Sequence, residues 1–553
     1  MKQFNYQSLM HGSSLKHKIV ATSKFNNILI QQQHNIGTSC TTLNNFKSFT
    51  ISKQLSSSSE VKRICIVGGG AAGLNCTKFA QSKALSLLKS NKNQKIEILL
   101  LERKPQCGRK IIMSGGSRCN LIPHESKWLS FKKENDLELK YFSSRPDILF
   151  QILKTWPIEQ QKVFFEKELK IPLELEVESG KYFPQSNDAK DVLDAFLKSI
   201  TDKSNERVKV SILNNCDVKG LEKTERGWNV KFSHNDRDNQ SVLCKSVVMS
   251  TGGLSVINSD GVGVQLLSQL GHSIVPMYPA LTPLVSDSKV KLIHKELSGL
   301  TIPNVILTVC LENGSERKVI YQMEEPKGFL FTHTGYSGPA CLNPSHATIP
   351  GLYNFETQRM KDILVENPPQ SSSLIEKSQI ERLLFHSPAK PPCQLKLYVN
   401  WTPLISAQEW DRKFQQAKQK NSKLVLKNFI HKNSEPNFLP IRLVQLITDS
   451  LAMSDLLVSR LSNDQRRSII SHLTSFPLDI GGNKGFKMAE VTGGGVDLSQ
   501  INIPSMESKI HPNLFLCGEV LDAFGRIGGF NFALAWITSR LAGTSCVEQV
   551  LTQ

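Results

Sequence analysis

None of the twelve cysteines forms a C-x-x-C pair, and that removes the usual sequence frames for a structural zinc site or a dithiol redox pair. The nearest neighbours, Cys65 with Cys76 and Cys107 with Cys119, frame neither a disulfide scaffold nor a metal site, and scattered thiols suit a reducing interior. No apolar run reaches the roughly 18 residues of a membrane-spanning helix. Acidic residues are missing altogether before Glu60, where Lys2, Lys16, Lys18, Lys24, Lys47 and Lys53 stand among Ser, Thr, Asn and Gln. A basic, hydroxyl-rich and acid-free stretch has the composition of an organelle transit peptide, mitochondrial ahead of plastid. Arginine is absent there too, and a disordered polar tail on a cytoplasmic protein is the alternative. Taking those six lysines from the net charge of +18 leaves +12 for the rest of the chain. A balance of that sign steers anionic substrates or nucleic acid toward a surface. A solvated basic face is the ordinary alternative, and no dedicated nucleic-acid motif is present.

With 553 residues, the chain has room for three or four units of about 150 residues each. The informative stretch is VKRICIVGGGAAG, residues 61–73. An apolar run ends in Gly68, Gly69 and Gly70, and after Ala71 and Ala72 a further glycine, Gly73, opens a helical pattern. This is G-x-G-x-x-G between a strand and a helix. Gly68 serves the tight turn, Gly70 the approach of a pyrophosphate, and Gly73 the packing of helix on strand, with the helix N-terminus offering free N–H groups to phosphate. Alone, such a run can also be a small-residue turn that binds nothing. The apolar run 96–101 then ends in Glu102, followed by Arg103, where a second strand presents a carboxylate to a ribose. The gap from Gly73 is longer than the usual spacing of about 20 residues, which a long helix and the polar insert 89–95 account for. No second G-x-G-x-x-G follows a strand, because Gly493, Gly494 and Gly495 lead to Leu498 where the last glycine belongs. A separate nicotinamide domain is therefore not expected.

Next, Arg109 and Lys110 precede a glycine-rich turn, Ser114, Gly115, Gly116, Ser117, Arg118, Cys119 and Asn120. Helices are expected over 146–153 and 158–169, and strands over 208–218, 228–232 and 243–250, the last ending in Thr251, Gly252 and Gly253. From about Leu284 to Ser475 strand-like runs (305–311, 318–322, 394–400) give way to helical patterns (407–420, 441–473). Pro, Ser and Gln mark a loop insertion at 368–392. The chain closes with a buried strand at 514–517 running into Gly518 and Glu519, then Gly528, Gly529, Phe530 and Asn531 opening a helix that contains Trp536.

Four blocks, GRKIIMSGGSRCN (108–120), Lys181 to Pro184, SDGVGVQLLSQLGHSIVPMYPALTP (259–283) and the final Gly-Glu to Ala-Trp passage, resemble in order the HI0933-like, or BaiN-type, NAD(P)/FAD-dependent oxidoreductases. The resemblance spans about residues 61–543, with Ser117 at a usual glycine and Phe530 at a usual tyrosine. It implies an α/β fold, with a Rossmann-like FAD-binding domain built from both ends of the chain (60–275 and 481–553). The inserted β-rich domain (276–404) and its helical part (405–480) interrupt it, and residues 1–59 stand outside. It also implies FAD held by Gly68, Gly70, Ala71, Ala72, Gly73, Glu102, Arg103, Lys110, Ser114, Gly115, Thr251, Gly252, Gly518, Glu519, Gly528, Gly529, Phe530 and Asn531. The helix beginning near Gly528 is suited to the flavin pyrimidine edge, where reduction leaves negative charge. The expected activity is flavin-mediated hydride transfer on a small-molecule or RNA substrate, with NAD(P)H as a transient donor entering through the substrate cavity, and without a metal. Members have been linked to amines, steroid-type enones and a uridine of ribosomal RNA. An organelle ribosomal RNA reductase is thus one version, and a non-catalytic flavoprotein binding RNA or a ribosomal partner is another. A NAD-only dehydrogenase has no use for the carboxy-terminal block. Cys119 and His333 are candidate proton donors, a packed thiol and a structural histidine being their alternatives.

Overall fold

The computed structural model describes residues 61–89, 94–128, 140–202, 205–235, 237–255, 259–286, 296–313, 315–349, 394–436, 438–478 and 480–552. The expected transit peptide (1–59) and the loop insertion at 368–392 lie outside the described residues.

The core elements are β1 (Val61–Val67), α1 (Ala71–Leu87), β2 (Lys95–Leu101), β3 (Val208–Leu213), β4 (Ser246–Met249), β5 (Leu514–Leu516) and α2 (Phe530–Thr552). Sheet order is β3, β2, β1, β4, β5, all parallel, with the short strands Glu507–Ser508 and Ile501–Asn502 added antiparallel at the β5 edge. A parallel strand covered on both faces reads as an unbroken apolar run, and Ile64–Val67 and Ile98–Leu101 are buried throughout. β5 comes from the far end of the chain, with Val247 opposite Leu514 and Met249 opposite Leu516. The Rossmann-like domain is therefore assembled from both ends. The single strand expected over 208–218 is two: Asn215 adopts a positive φ of 53°, so residues 208–213 enter the parallel sheet. Cys216–Thr224 starts a three-stranded antiparallel sheet with Gly227–His234 and Arg237–Cys244. The run 243–250 is likewise divided at Lys245, which hands the chain back to the parallel sheet as β4.

The chain between β4 and β5 contains an eight-stranded sheet centred on Thr301–Asn313, which pairs with Gln394–Asn400, Lys327–Thr332 and Glu316–Gln322. Its core contains Phe329, Phe331 and Trp401, and Trp401 stacks on Phe331 with centroids 5.9 Å apart. Helices Ala407–Gln419, Ile441–Ser450 and Asn463–Thr474 fill the stretch before Phe476–Leu478, which pairs with Gln394–Asn400.

α2 lies along α1. Asn75 donates to the Trp536 carbonyl (3.0 Å) and to Ser539 Oγ (2.8 Å), both buried. Where the helices come closest there is Gly543, on which a Cβ would sit 2.4 Å from the Cys76 carbonyl oxygen. Gly543→Ala sets a helix-propensity gain of about 1 kcal/mol against a clash with backbone that cannot swing aside, in the overpacking range of about 1–3 kcal/mol. A net loss of up to about 2 kcal/mol is expected in denaturant unfolding, and a stabilised variant would contradict this packing.

Candidate functional site

The three glycines of the β1–α1 turn differ in what surrounds them. Gly68 has φ +104°, and a Cβ there would lie 2.6 Å from the Ser250 carbonyl oxygen; on Gly73 it would lie 1.8 Å from the Gly68 carbonyl oxygen. Both are required by the fold itself. Gly70 has ordinary extended geometry, φ −74°, and a Cβ there would meet no atom within 4 Å. It faces open space at the start of α1, whose first turn carries neither a side-chain cap nor an acidic residue. An uncapped helix N-terminus leaves N–H donors and positive potential for a bound anion. Ala71, Ala72 and Gly73 form that first turn and are buried.

Glu102, at the end of β2, accepts from the backbone N–H of Gly69 and of Lys104, both at 2.7 Å, so its carboxylate is fixed beside the turn. Arg103 pairs instead with Asp260 (2.6 Å) and Asp217 (3.2 Å) and lines a shallow polar depression of about 650 Å³ with Asn215 and Asp238. Ser114 turns its hydroxyl back to the Ile111 carbonyl (2.9 Å), and Gly115 sits against Asn120. The Thr251 hydroxyl is packed against Gly263, whereas Gly252 borders open space.

The carboxy-terminal block meets the first one directly: a Cβ on Gly518 would be 2.8 Å from the Ala72 Cβ, and one on Gly529 would be 2.7 Å from the Ile122 backbone. Glu519 is the hub. It pairs with Lys110 and accepts from Ser255 Oγ (2.8 Å) and the Thr492 N–H (2.9 Å), while the Thr492 hydroxyl accepts from the Leu254 N–H (2.7 Å). Three separated segments thus converge on one carboxylate. Asn531 exchanges two hydrogen bonds with the Gly525 backbone (2.7 and 2.8 Å) and so shapes the loop before α2. Phe530 is buried edge-on against Tyr141, whose hydroxyl donates to the Phe530 carbonyl (2.8 Å).

Sequence reading missed Ser255, Thr492 and Glu490. Ser255 and Thr492 stand beside the glycine runs 252–253 and 493–495, and that proximity is their signal in the sequence. Glu490 is open to solvent yet hemmed in by protein, as a carboxylate on a cleft wall is. Desolvation raises its pKa while Lys181 and Lys110 oppose the rise. Lys181 Cε lies 3.9 Å from where a Gly528 Cβ would be. Of the candidate proton donors, Cys119 is fully buried with its thiol pushed up to about 12 by desolvation, which denies it to a substrate. His333 is exposed in the turn after Lys327–Thr332 and contacts Ser298 Oγ (3.0 Å). Among the described residues no group of three or more His, Cys, Asp or Glu is placed to hold a metal ion, and no helix is long and apolar enough to cross a membrane.

A parallel sheet with G-x-G-x-x-G between β1 and α1, an acid ending β2 and a second glycine block returned to the same turn defines a dinucleotide-binding protein of the flavoprotein class. The chain belongs to the HI0933-like family: that family's Rossmann domain matches residues 62–545. Accordingly it is an FAD-dependent oxidoreductase. It is 26% identical over 491 residues to a "Ribosomal RNA dihydrouridine synthase" of Haemophilus influenzae, covering 88% of this chain and 98% of that one. A protein of the same description from Escherichia coli is 25% identical, covering 85% and 94%. A "3-dehydro-bile acid delta(4,6)-reductase" of Clostridium scindens is 25% identical, covering 88% and 100%.

Because nothing in the fold opposes a methyl at Gly70, Gly70→Ala should melt like the wild type without FAD yet bind FAD at least about tenfold more weakly in a fluorescence titration. Equal FAD affinity would show that this space is not a cofactor cradle. A second expectation concerns Asp522, buried and hydrogen-bonded by Ser144 N–H (2.8 Å) and Ser144 Oγ (2.5 Å). Desolvation raises its pKa to about 6, above the unfolded value near 3.9. The folded state therefore holds the extra proton between those values, and the stability this adds below about pH 4 is lost as pH rises through about 6. At about 1.4 kcal/mol per unit the loss is roughly 3 kcal/mol. Across pH 4.5–7.5 the stability of the wild type should fall relative to that of Asp522→Asn by roughly this amount, and parallel profiles would contradict it.

Proposed function

We propose that the chain is a flavin-dependent reductase that saturates a carbon–carbon double bond conjugated to a carbonyl, with a uridine of RNA as its substrate and NAD(P)H as transient donor. The observation that carries this reading is the near full-length likeness to relatives whose names share that chemistry. The C5–C6 bond of uridine is conjugated to the C4 carbonyl. Its reduction adds hydride at C6 and a proton at C5, oxidising one NAD(P)H. The charge of +12 outside the first 59 residues favours the polyanionic substrate.

The residues present fit FAD. The open space at Gly70 and the uncapped start of α1 would receive the pyrophosphate, Glu102 the ribose, and Gly528, Gly529 and Phe530 the pyrimidine edge of the flavin. When bound, FAD supplies the hydride transfer. The chain's own part is to hold that ligand between two glycine blocks pinned by Glu519 and to keep Lys181 and Glu490 on the cleft wall as titratable groups. With no second G-x-G-x-x-G, the nicotinamide donor is assigned to the same cleft. We further propose that residues 1–59 direct the chain to mitochondria, where a ribosome would be at hand.

The test is anaerobic reduction of the purified flavoprotein with NADPH or NADH, followed by structured RNA. Return of the oxidised flavin spectrum together with a 2 Da gain in the RNA, characteristic of dihydrouridine, is expected. Oxidation by oxygen alone with the RNA unchanged would overturn the substrate. Flavin that no donor reduces, with RNA binding retained, would mark a non-catalytic RNA-binding flavoprotein.

A further inference from the structure

Four lysines from four separated segments come together where the inserted sheet meets the first domain. Lys127 lies in the short helix Glu125–Trp128, and Lys140 just precedes strand Tyr141–Phe142. Lys181 begins strand Lys181–Pro184, and Lys327 begins the inserted strand Lys327–Thr332. They are close enough to repel. Burial lowers the pKa of Lys127, and Lys327, Lys181 and Lys140 lower it further, against Glu325, while its ammonium donates to the Ser179 carbonyl (2.8 Å); burial, Lys327 and Arg118 act on Lys181 in the same sense.

The facing carboxylates are shared by these lysines with two arginines, Arg118 and Arg526. Glu324 serves Lys140 at 2.8 Å and is shared with Arg526 at 3.6 Å, Glu325 serves Lys327 at 2.7 Å, and Glu176 is engaged by Arg118 at 3.0 Å. Glu176 and Glu490 reach Lys181 only as longer-range charges, and no hydrogen bond or ion pair to its ammonium is made by the described residues. Like charges held together cost free energy that an anion from outside recovers. The position says which cleft that anion enters, since Lys181 Cε is 3.9 Å from the place of a Gly528 Cβ.

We infer that Lys127, Lys140, Lys181 and Lys327 form a phosphodiester-binding subsite that grips the backbone of an RNA strand beside the base to be reduced. The inference rests on the RNA reading above. Ammonium groups are point charges without the paired fork that arginine offers a single carboxylate, and several of them together suit the repeated charge of a strand. The subsite positions substrate and takes no part in bond making.

The experiment uses the full-length flavoprotein and a fluorescein-labelled uridine-containing RNA hairpin, with anisotropy followed across KCl concentrations. Lys140→Gln/Lys327→Gln and Lys127→Gln/Lys181→Gln should each bind at least about tenfold more weakly. Their salt slopes should fall by about 0.7 for each lysine removed, while flavin content and melting temperature of the Lys140→Gln/Lys327→Gln variant stay at wild-type values. A methylphosphonate strand of the same sequence, which lacks backbone charge, should bind weakly and equally to all forms. Unchanged slopes, or equal affinity for the neutral strand, would overturn the subsite. So would competition by uridine monophosphate as effective as that by the strand, since it would assign a single free phosphate. Reoxidation of reduced flavin by the same RNA is scored separately. Unaffected binding with intact reoxidation removes the subsite alone, whereas lost binding in the variants with no reoxidation by wild type leaves the subsite and removes the reductase reading.

Discussion

The packing of α2 on α1 is the constraint on which the rest depends. A helix from the last residues of the chain runs against α1 so closely that Gly543 leaves no room for a methyl, and the amide nitrogen of Asn75 donates to two groups of α2. With that contact made, Gly518 is carried to Ala72 and β5 completes the sheet on β4. A glycine from the far end of the chain is thereby set against the first turn of α1. The inserted sheet and its helices can be an insertion because the strands that flank them, Ile274–Ala280 and Val491–Val496, pair with each other.

The site is then held by charge as much as by shape. Glu519 receives Lys110, Ser255 and the Thr492 backbone, so the segments meeting at the cleft share one anchor. Burying a carboxylate is tolerable when it is paired and hydrogen-bonded in this way. Glu490 and Lys181 farther along the wall are less completely satisfied. Groups left partly unpaired in a cleft are those to which a ligand has something to offer.

Legibility followed sequence distance. The G-x-G-x-x-G turn, the acid after β2 and the apolar runs of the parallel strands were readable because a parallel sheet covered on both faces imposes unbroken hydrophobicity and its turns impose glycine. The breaks at Asn215 and Lys245 were not, since alternating residues continue on either side while the chain changes sheets. Glu519 was recognisable as a candidate, yet its partners Ser255 and Thr492 are common residue types whose role appears only when three segments meet. The lysine cluster was invisible for the same reason: each lysine is unremarkable in its own segment. Asn531 was expected at the flavin, and the structure shows it engaged with Gly525, a local contact that neither spacing nor residue type announces.

The most direct test of the two-ended cradle is a crystal structure of the protein grown with FAD. Density running from Glu102 past Gly70, with the isoalloxazine ring beside Gly528 and Gly529, is the predicted result. FAD bound elsewhere, or none at saturating concentration, would contradict it.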